Sequence, residues 1–258
     1  MIHKIKKLFF TLGCLLLIPI YANVVSNIDV PYKINYTELF MFIFYIILTA
    51  SSVWFLRRKK YKYVYSDIIT AVLLGTVTIT YTIPLSFIGF TAGICTTCIF
   101  LVSREMLKDD DFLWVRTDIK SNIALFGGIT LIYFVIFITQ YNVPFKIYPL
   151  IALKACAPAV SEELIFRVFL PVLLFKKLKL DNTFGNKTWL FFIITVPFAF
   201  LHCVDSLMMH DVPRVISRCY TSMINSLFST FLIYKYGFVY GVYSHALSDF
   251  ISMSILVN

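Results

Sequence analysis

Two carboxylates and a guanidinium lie close together in an apolar stretch of this 258-residue chain. The stretch, residues 149–175, is long enough at about 1.5 Å per residue to cross a hydrocarbon core of about 30 Å. A charged side chain near the middle of such a helix costs about 2.5–3.5 kcal/mol, so a cluster there indicates a functional site. At about 100° per residue, Glu163 and Arg167 share one face and are expected to pair, whereas Glu162 points elsewhere and stays available. An ion pair that only fixes helix packing explains Glu163 and Arg167 equally well, but it does not explain Glu162.

Further costly polar residues occur in two later apolar stretches. Phe198 and His202 are four residues apart, as are His245 and Asp249, so each pair is expected to project to one side of a helix. Measured from the cytoplasmic ends of the predicted spans, Glu162 and the other three polar groups lie about 14 to 21 Å deep at about 1.5 Å per residue. A single histidine would be explained by a hydrogen bond between helices. Four such groups at one depth predict a shared water-filled pocket.

The residue types in this pocket suit peptide hydrolysis. A carboxylate held away from bulk water can take a proton from a water molecule and later return it, and histidine can orient that water. We therefore interpret Glu162 with His202 as the base and its helper, and His245 with Asp249 as the pair that stabilises an oxyanion. No serine or cysteine lies beside a base in the way a nucleophile requires, so Ser161, Cys203 and Ser248 are expected to be packing residues.

A metal is the competing chemistry for the same side chains. Two histidines and a carboxylate are a zinc ligand set, and the ligands here would be Glu162, His202 and His245. The chain lacks the local His-Glu-x-x-His pairing, so a metal site depends on the tertiary arrangement alone. No cofactor is required by the sequence, and a divalent metal such as zinc is the alternative.

Composition indicates a membrane protein. The chain is 59% hydrophobic and 14% charged, against about 25% charged residues in soluble domains, and its mean hydropathy is +0.82. We predict an all-α polytopic membrane helical bundle with eight or nine transmembrane helices, forming a single integral membrane domain over residues 1–258. Residues 1–22 are either a first membrane helix or a signal peptide. The net charge of +9 fits cytoplasmic loops that face anionic lipid, and we expect no binding to nucleic acid.

The positions of lysine and arginine set the predicted topology. Residues 68–102 carry no charge and are too long for one crossing, so they are divided into two spans with a turn at Pro84. This division places nearly all basic loop residues on the cytoplasmic side. The six cysteines lie within or beside apolar runs and are expected to be packing residues rather than disulfides. The remaining spans are predicted at 39–56, 123–139, 149–175, 188–204, 215–234 and 238–257.

Three motifs follow one another in the C-terminal half: Glu162-Glu163-x-x-x-Arg167, Phe198-x-x-x-His202 and His245-x-x-x-Asp249. In this order, over about residues 145–258, they resemble the catalytic core of the CPBP family. That family contains type 2 CAAX prenyl endopeptidases, bacteriocin-processing and immunity proteins, and abortive-infection proteins.

The resemblance implies an intramembrane endopeptidase of glutamate or metalloprotease type. It implies that Glu162 activates water with the help of His202, and that His245 and Asp249 line the oxyanion site. Family members often carry asparagine at the last position. Since aspartate donates a hydrogen bond only when protonated, Asp249 is expected instead to orient His245 or to bind a cation.

The sequence therefore predicts a protease of the cell membrane that cleaves a peptide or a prenylated C-terminal segment. Its expected partners are a peptide or lipidated protein substrate and membrane lipid. Two alternatives remain open. One is an immunity or peptide-binding protein that captures its partner without cutting it. The other is a proton-coupled carrier that uses Glu162, Asp249 and the histidines as a relay.

Overall fold

The fold is entirely helical in the part of the chain that can be described. A computed structural model describes residues 36–58, 63–79, 87–107, 118–140, 149–178, 194–208 and 210–256, and regular structure within these ranges consists of helices without strands. The predicted all-α class is confirmed. Residues 1–22 and Pro84 lie outside the described residues, so the interpretation of both stays a prediction.

The N-terminal half contributes four helices, which are α1 (Tyr36–Arg58), α2 (Tyr65–Ile79), α3 (Phe87–Met106) and α4 (Ile119–Gln140). The uncharged stretch 68–102 is divided between α2 and α3, as the charge distribution predicted. Asp118 begins α4 by accepting a hydrogen bond of 2.7 Å from the backbone N–H of Ser121, which supplies a partner for a helix-end donor.

The C-terminal half contains the helices that carry the predicted motifs. Helix α5 has three parts, an α-helix over Pro149–Glu163, a π-helix over Leu164–Phe169 and an α-helix over Leu170–Leu178. The helices that follow are α6 over 194–201, α7 (Val204–Met208), α8 (Val212–Tyr236) and α9 (Phe238–Leu256). The predicted continuous span 188–204 is wrong at its end, because His202 and Cys203 form a turn between α6 and α7.

Two of the described helices are long and apolar enough to cross a membrane, at Ile88–Met106 in α3 and Lys120–Thr139 in α4. Shorter apolar helices occur at Met41–Arg57 and Tyr65–Ile79. Helix α4 exposes large apolar side chains such as Ile123 and Leu131, which suits a surface that faces lipid. The number of spans stays a prediction.

The main hydrophobic core lies between α1, α3 and the π-helical part of α5. Phe44 of α1 and Ile99 and Phe100 of α3 are buried with Phe166 and Phe169 of α5. Burial on this scale stabilises each large apolar side chain by about 1.5–3 kcal/mol. The core therefore anchors the segment of α5 that follows the two glutamates.

Helices α4, α8 and α9 form a second packed group. The Tyr133 hydroxyl lies 3.1 Å from the Ser244 hydroxyl, which joins α4 to α9. Helices α8 and α9 form an antiparallel hairpin at Gly237, whose φ of 124° is accessible mainly to glycine. This hairpin sets α9, which carries His245, beside α8.

Helices α2 and α3 approach each other closely at Gly75 and Gly93. A Cβ atom on Gly93 would lie 2.7 Å from the carbonyl oxygen of Gly75, closer than real Cβ contacts allow. The ion pair from Arg104 Nε to Asp67 Oδ1, at 2.9 Å, joins the same two helices. Small residues at a membrane helix interface allow this approach of the two backbones.

We expect Gly93→Leu to destabilise the protein by about 1–3 kcal/mol, because the added side chain forces α2 and α3 apart. Thermal unfolding of the purified protein in detergent measures this as a lower Tm. Gly127→Leu is the matched control, since a Cβ atom at Gly127 meets nothing within 4 Å. Equal Tm values for the two variants would contradict the close packing of α2 on α3.

Candidate active site

A break in regular α-helical geometry precedes the site. Pro158 lies inside α5 and cannot donate a hydrogen bond to the carbonyl of Lys154. Beyond Glu163 the helix widens to a π-helix, in which the backbone N–H of Leu170 bonds to the carbonyl of Ile165. π-helical segments of this kind are frequent at functional sites. The wide turn contains Arg167 and begins directly after the two glutamates.

Glu163 and Arg167 form the expected ion pair in the interior of the protein. Arg167 Nε lies 3.3 Å from Glu163 Oε2, and both side chains are 0% exposed. The guanidinium carbon also lies 3.8 Å from the centre of the Phe198 ring, which gives a cation–π contact. Both charges are therefore held by partners from two helices.

Glu163 also contacts a histidine, which the sequence did not indicate. His245 Nδ1 lies 2.8 Å from Glu163 Oε1, a hydrogen bond between α9 and α5. An ion pair that only fixes helix packing is thus an incomplete explanation, because Glu163 also orients His245, a residue of the predicted site. Helical spacing showed the partner within α5 but could not show the partner on α9.

Glu162 lies at the meeting point of three parts of the chain. Its Oε2 is 3.8 Å from His202 Nε2 and 3.8 Å from His245 Nε2. Asp249 Oδ2 lies 3.5 Å from the same His245 nitrogen. The structure thus brings together the four residues that the sequence predicted at one depth. These separations exceed direct hydrogen-bond length, so they leave space for a small group between the side chains.

Both histidines present the same ring nitrogen to this space. His202 Nδ1 lies 3.0 Å from the carbonyl oxygen of Phe198, and His245 Nδ1 faces the Glu163 carboxylate. Since both partners accept hydrogen bonds, each Nδ1 carries a proton and each Nε2 faces the space. A carboxylate and two imidazole nitrogens converge there, where a neutral ring can bind a cation and a protonated ring can donate a hydrogen bond.

The same part of the chain matches a known family. Residues 144–251 match the family model described as type II CAAX prenyl endopeptidase, Rce1-like, and these residues include all three motifs. This region is therefore similar to Rce1-like proteins. The resemblance predicted from the motifs is confirmed, and with it a protease class whose members are membrane proteins. Neither the curated proteins nor the solved structures contain a match to this chain.

The matched region offers a group of metal-ligand atoms. One atom each from Glu162, His202 and His245 lies within 4.8 Å of the other two. Glu162 Oε2 is buried and has no hydrogen-bond partner among the described residues. Hydrogen bonds from the Nδ1 atoms to a carboxylate and a carbonyl are the usual supports of metal-bound histidines. The residues present therefore fit a divalent metal as well as a water molecule.

A polar cavity of about 160 Å³ adjoins these residues. Four helical parts of the C-terminal half supply its walls, which are Glu163 and Arg167 of α5, Phe198 and His202 at α6, Ser222, Asn225 and Ser229 of α8, and His245, Ser248, Asp249 and Ser252 of α9. Sequence reasoning missed the contribution of α8. Its signal was the spacing of Ser222, Asn225 and Ser229, which places three polar residues on one face of an apolar helix.

The predicted packing serines behave differently from one another. Ser161 is buried and its hydroxyl donates to the carbonyl of Pro158 at 3.1 Å, as a packing residue does. Ser248 instead lines the cavity, and its hydroxyl accepts a long hydrogen bond of 3.5 Å from Asn225 Nδ2. The expectation for Ser248 is therefore wrong, because the fold turns its side of α9 toward α8.

The expectation of unpaired cysteines is also wrong for one pair. A disulfide joins Cys203, which follows His202, to Cys219 of α8, with a Cα–Cα separation of 5.9 Å. The two residues belong to different predicted spans, and only the fold of the turn and α7 brings them together. Cys95, Cys98 and Cys156 are free, and Cys14 lies outside the described residues.

We expect Arg167→Met to destabilise the protein by about 3–5 kcal/mol, because it leaves the Glu163 charge buried without its cation. The double variant Glu163→Gln with Arg167→Met removes both charges and should lose less stability than the two single variants added together. Unfolding measured in detergent for the four proteins of this cycle tests the coupling. Additive losses would contradict an ion pair.

Proposed function

We propose that this protein is an intramembrane endopeptidase in which Glu162 activates a water molecule for attack on a peptide bond. The match to the Rce1-like family supports a protease. The observation that carries the mechanism is the distance of 3.8 Å from Glu162 Oε2 to each of two imidazole nitrogens that belong to separate helices.

The size of the space between the three groups suits a water oxygen. Glu162 Oε2 lies 3.8 Å from each of the two imidazole nitrogens, and the three ligand atoms lie within 4.8 Å of one another. The point equidistant from the three atoms is therefore within about 2.5 Å of each of them. A water oxygen about 2.8 Å from each atom would lie slightly to one side of the plane through the three atoms.

The proposed roles follow from these contacts. Glu162 takes a proton from the water as its oxygen attacks the substrate carbonyl, and His202 orients the water. Protonated His245 donates a hydrogen bond to the resulting oxyanion, and Asp249 Oδ2, 3.5 Å from His245 Nε2, stabilises the imidazolium. When the C–N bond breaks, Glu162 returns its proton to the leaving amine.

A divalent metal such as zinc is compatible with this assignment. Glu162, His202 and His245 would hold it, and when bound it would supply Lewis-acid chemistry and make a bound water more acidic. Glu163 would then support His245 from behind through its hydrogen bond to Nδ1.

The cavity size bears on the substrate. Its volume of about 160 Å³ is close to that of an apolar cavity of about 150 Å³ that admits one benzene molecule. The cavity is therefore large enough for one peptide unit or for one side chain of about the size of benzene. In a CAAX-type or other lipidated substrate, the lipid chain would lie outside it, against the exposed apolar surfaces of the helices. Because these exposed apolar surfaces suit contact with lipid, we propose that the protein is a polytopic helical bundle in the cell membrane.

We expect Glu162→Gln and His202→Ala each to lower cleavage by about 10²- to 10⁴-fold while leaving protein abundance and Tm close to wild type. Glu162→Gln keeps the shape of the side chain and removes the base. Peptides compared between membranes from cells with wild type and with Glu162→Gln identify the substrate, and the purified proteins then give the rates.

Full activity of either variant would refute the mechanism. A wild type that cuts nothing, but protects cells from a peptide as well as Glu162→Gln does, would indicate the immunity or peptide-binding function instead. Addition of a chelator followed by zinc, with wild type and Glu162→Gln in parallel, reports whether activity needs the metal.

A further inference from the structure

Tyr133 is a buried polar residue on a helix whose other faces are largely exposed. Among the residues of α4 whose burial is described, Ile129 and Tyr133 are the buried ones, and they pack with Leu232 of α8 and Tyr240 of α9. A phenylalanine ring would fill the same space. Packing therefore accounts for the ring of Tyr133 but not for its hydroxyl, which is costly to bury without a partner.

The Tyr133 hydroxyl contacts two serines of α9 that flank His245. It lies 3.1 Å from the Ser244 hydroxyl, and Ser248 is a second hydrogen-bonding neighbour. The two serines are four residues apart and share one face of α9, and each is followed directly by a site residue, His245 or Asp249. A single hydroxyl of α4 is thus bound beside the face of α9 that belongs to the site.

The same hydroxyl is connected to the cavity without lining it. Ser248 lines the cavity and accepts a hydrogen bond of 3.5 Å from Asn225 Nδ2 of α8, whereas Tyr133 is not a lining residue. The Tyr133 hydroxyl also lies within electrostatic range of Asp249 and Glu163. Any effect of Tyr133 on a bound peptide is therefore exerted through α9 rather than by direct contact.

The rotation of α9 about its own axis decides where the site residues lie. A side-chain group about 5–6 Å from a helix axis moves by about 1 Å when the helix turns by about 10°. A misplacement of about 1 Å in an active site can lower the rate by about 10²-fold. The hydrogen bond from His245 Nδ1 to Glu163 holds the imidazole at one point, and a second contact on another face of α9 is needed to fix the rotation.

We propose that Tyr133 is a positioning residue, whose hydroxyl fixes the rotation of α9 through the two serines and so directs His245 and Asp249 into the site. This inference rests on the proposed peptidase function. Tyr133 precedes residues 144–251, which match the family model, so the match assigns it no role. A residue of the N-terminal half would thus support a site whose other members come from the C-terminal half.

A second tyrosine hydroxyl joins the same two helices and provides a matched control. The hydroxyl of Tyr243 on α9 lies 2.6 Å from that of Thr130 on α4, in an exposed position, and neither residue lines the cavity. In this pair the long side chain belongs to α9, so α9 can turn while the hydrogen bond persists. In the pair of Tyr133 with Ser244, the short side chain belongs to α9, so the hydroxyl holds the helix close to its backbone.

Kinetics of Tyr133→Phe and Tyr243→Phe test the inference in phosphatidylcholine vesicles that contain the full chain. The probe is an internally quenched peptide that carries the cleavage site found by comparing wild type with Glu162→Gln. We expect Tyr133→Phe to lower kcat by about tenfold with KM within about twofold of wild type, because the site is misaligned while its cavity is kept. Tyr243→Phe should keep the kcat of the wild type.

Unfolding in detergent shows whether the two variants are comparable. Each loses one hydrogen bond between the same helices, so each Tm should fall by about 2–4 °C. Equal kcat values for the two variants would overturn the positioning role, because any effect would then come from the loss of an interhelical contact. A rise in KM alone for Tyr133→Phe would overturn it as well.

A double variant tests the path through the serines. If Tyr133 acts through Ser248, then Tyr133→Phe combined with Ser248→Ala should lower kcat by less than the product of the two separate losses. Ser244→Ala in place of Ser248→Ala tests the other contact in the same way. Losses that multiply in both combinations would contradict a role exerted through these hydroxyls.

A spectroscopic measurement separates this inference from the peptidase function. The chain contains four histidines, and selective ¹⁵N labelling in detergent micelles, with His245→Gln for assignment, gives the imidazole signals of His245. Tyr133→Phe should shift these signals and Tyr243→Phe should not. Such a shift in a protein that cleaves no peptide would support the positioning and refute the peptidase, whereas unchanged His245 signals in Tyr133→Phe would overturn the positioning whatever the activity.

Discussion

The buried ion pair between Glu163 and Arg167 is the constraint on which the site depends. Two charges that are fully removed from solvent are strongly destabilising unless each has close partners. Arg167 is held by Glu163 and by the Phe198 ring, and Glu163 is held by Arg167 and by His245. Because these partners come from α5, α6 and α9, the contacts of the two charges link the three helices.

Two neighbouring glutamates have different environments as a result. Glu163 lines the cavity, and its charge is paired with Arg167 and His245. Glu162 is not among the residues that line the cavity, but its Oε2 faces two imidazole nitrogens without a direct hydrogen bond to either. A difference in surroundings, rather than in chemistry, thus distinguishes the two carboxylates, and the proposed function uses the one without a direct partner. The π-helical turn that follows them keeps Arg167 directed at Glu163 and Phe198.

The hairpin of α8 and α9 forms the other side of the site. Its polar residues face the cavity and its large apolar residues face outward, the arrangement expected where the surroundings are lipid. The close contact between the two helices at Gly241, where a Cβ atom would lie 3.2 Å from the carbonyl of Ser229, brings α9 against the polar face of α8. The disulfide to Cys219 then joins this hairpin to the turn that carries His202. His245 is therefore held by a contact with α5, and the turn that carries His202 is joined to α8.

The sequence by itself determined the helical class, the division of 68–102 into two helices, the Glu163–Arg167 pair and the family. Each of these follows from local spacing, charge or motif order. It also named Glu162, His202, His245 and Asp249 as residues of one pocket, because polar groups at one depth in apolar helices are costly unless they line a common space. The tertiary structure alone decided that Glu163 reaches His245, that Cys203 joins Cys219, that the helix breaks at His202 and that α8 supplies a wall of the cavity. The physical reason is that helical periodicity defines which residues share a face of their own helix, whereas contacts between helices depend on how those faces are rotated against each other.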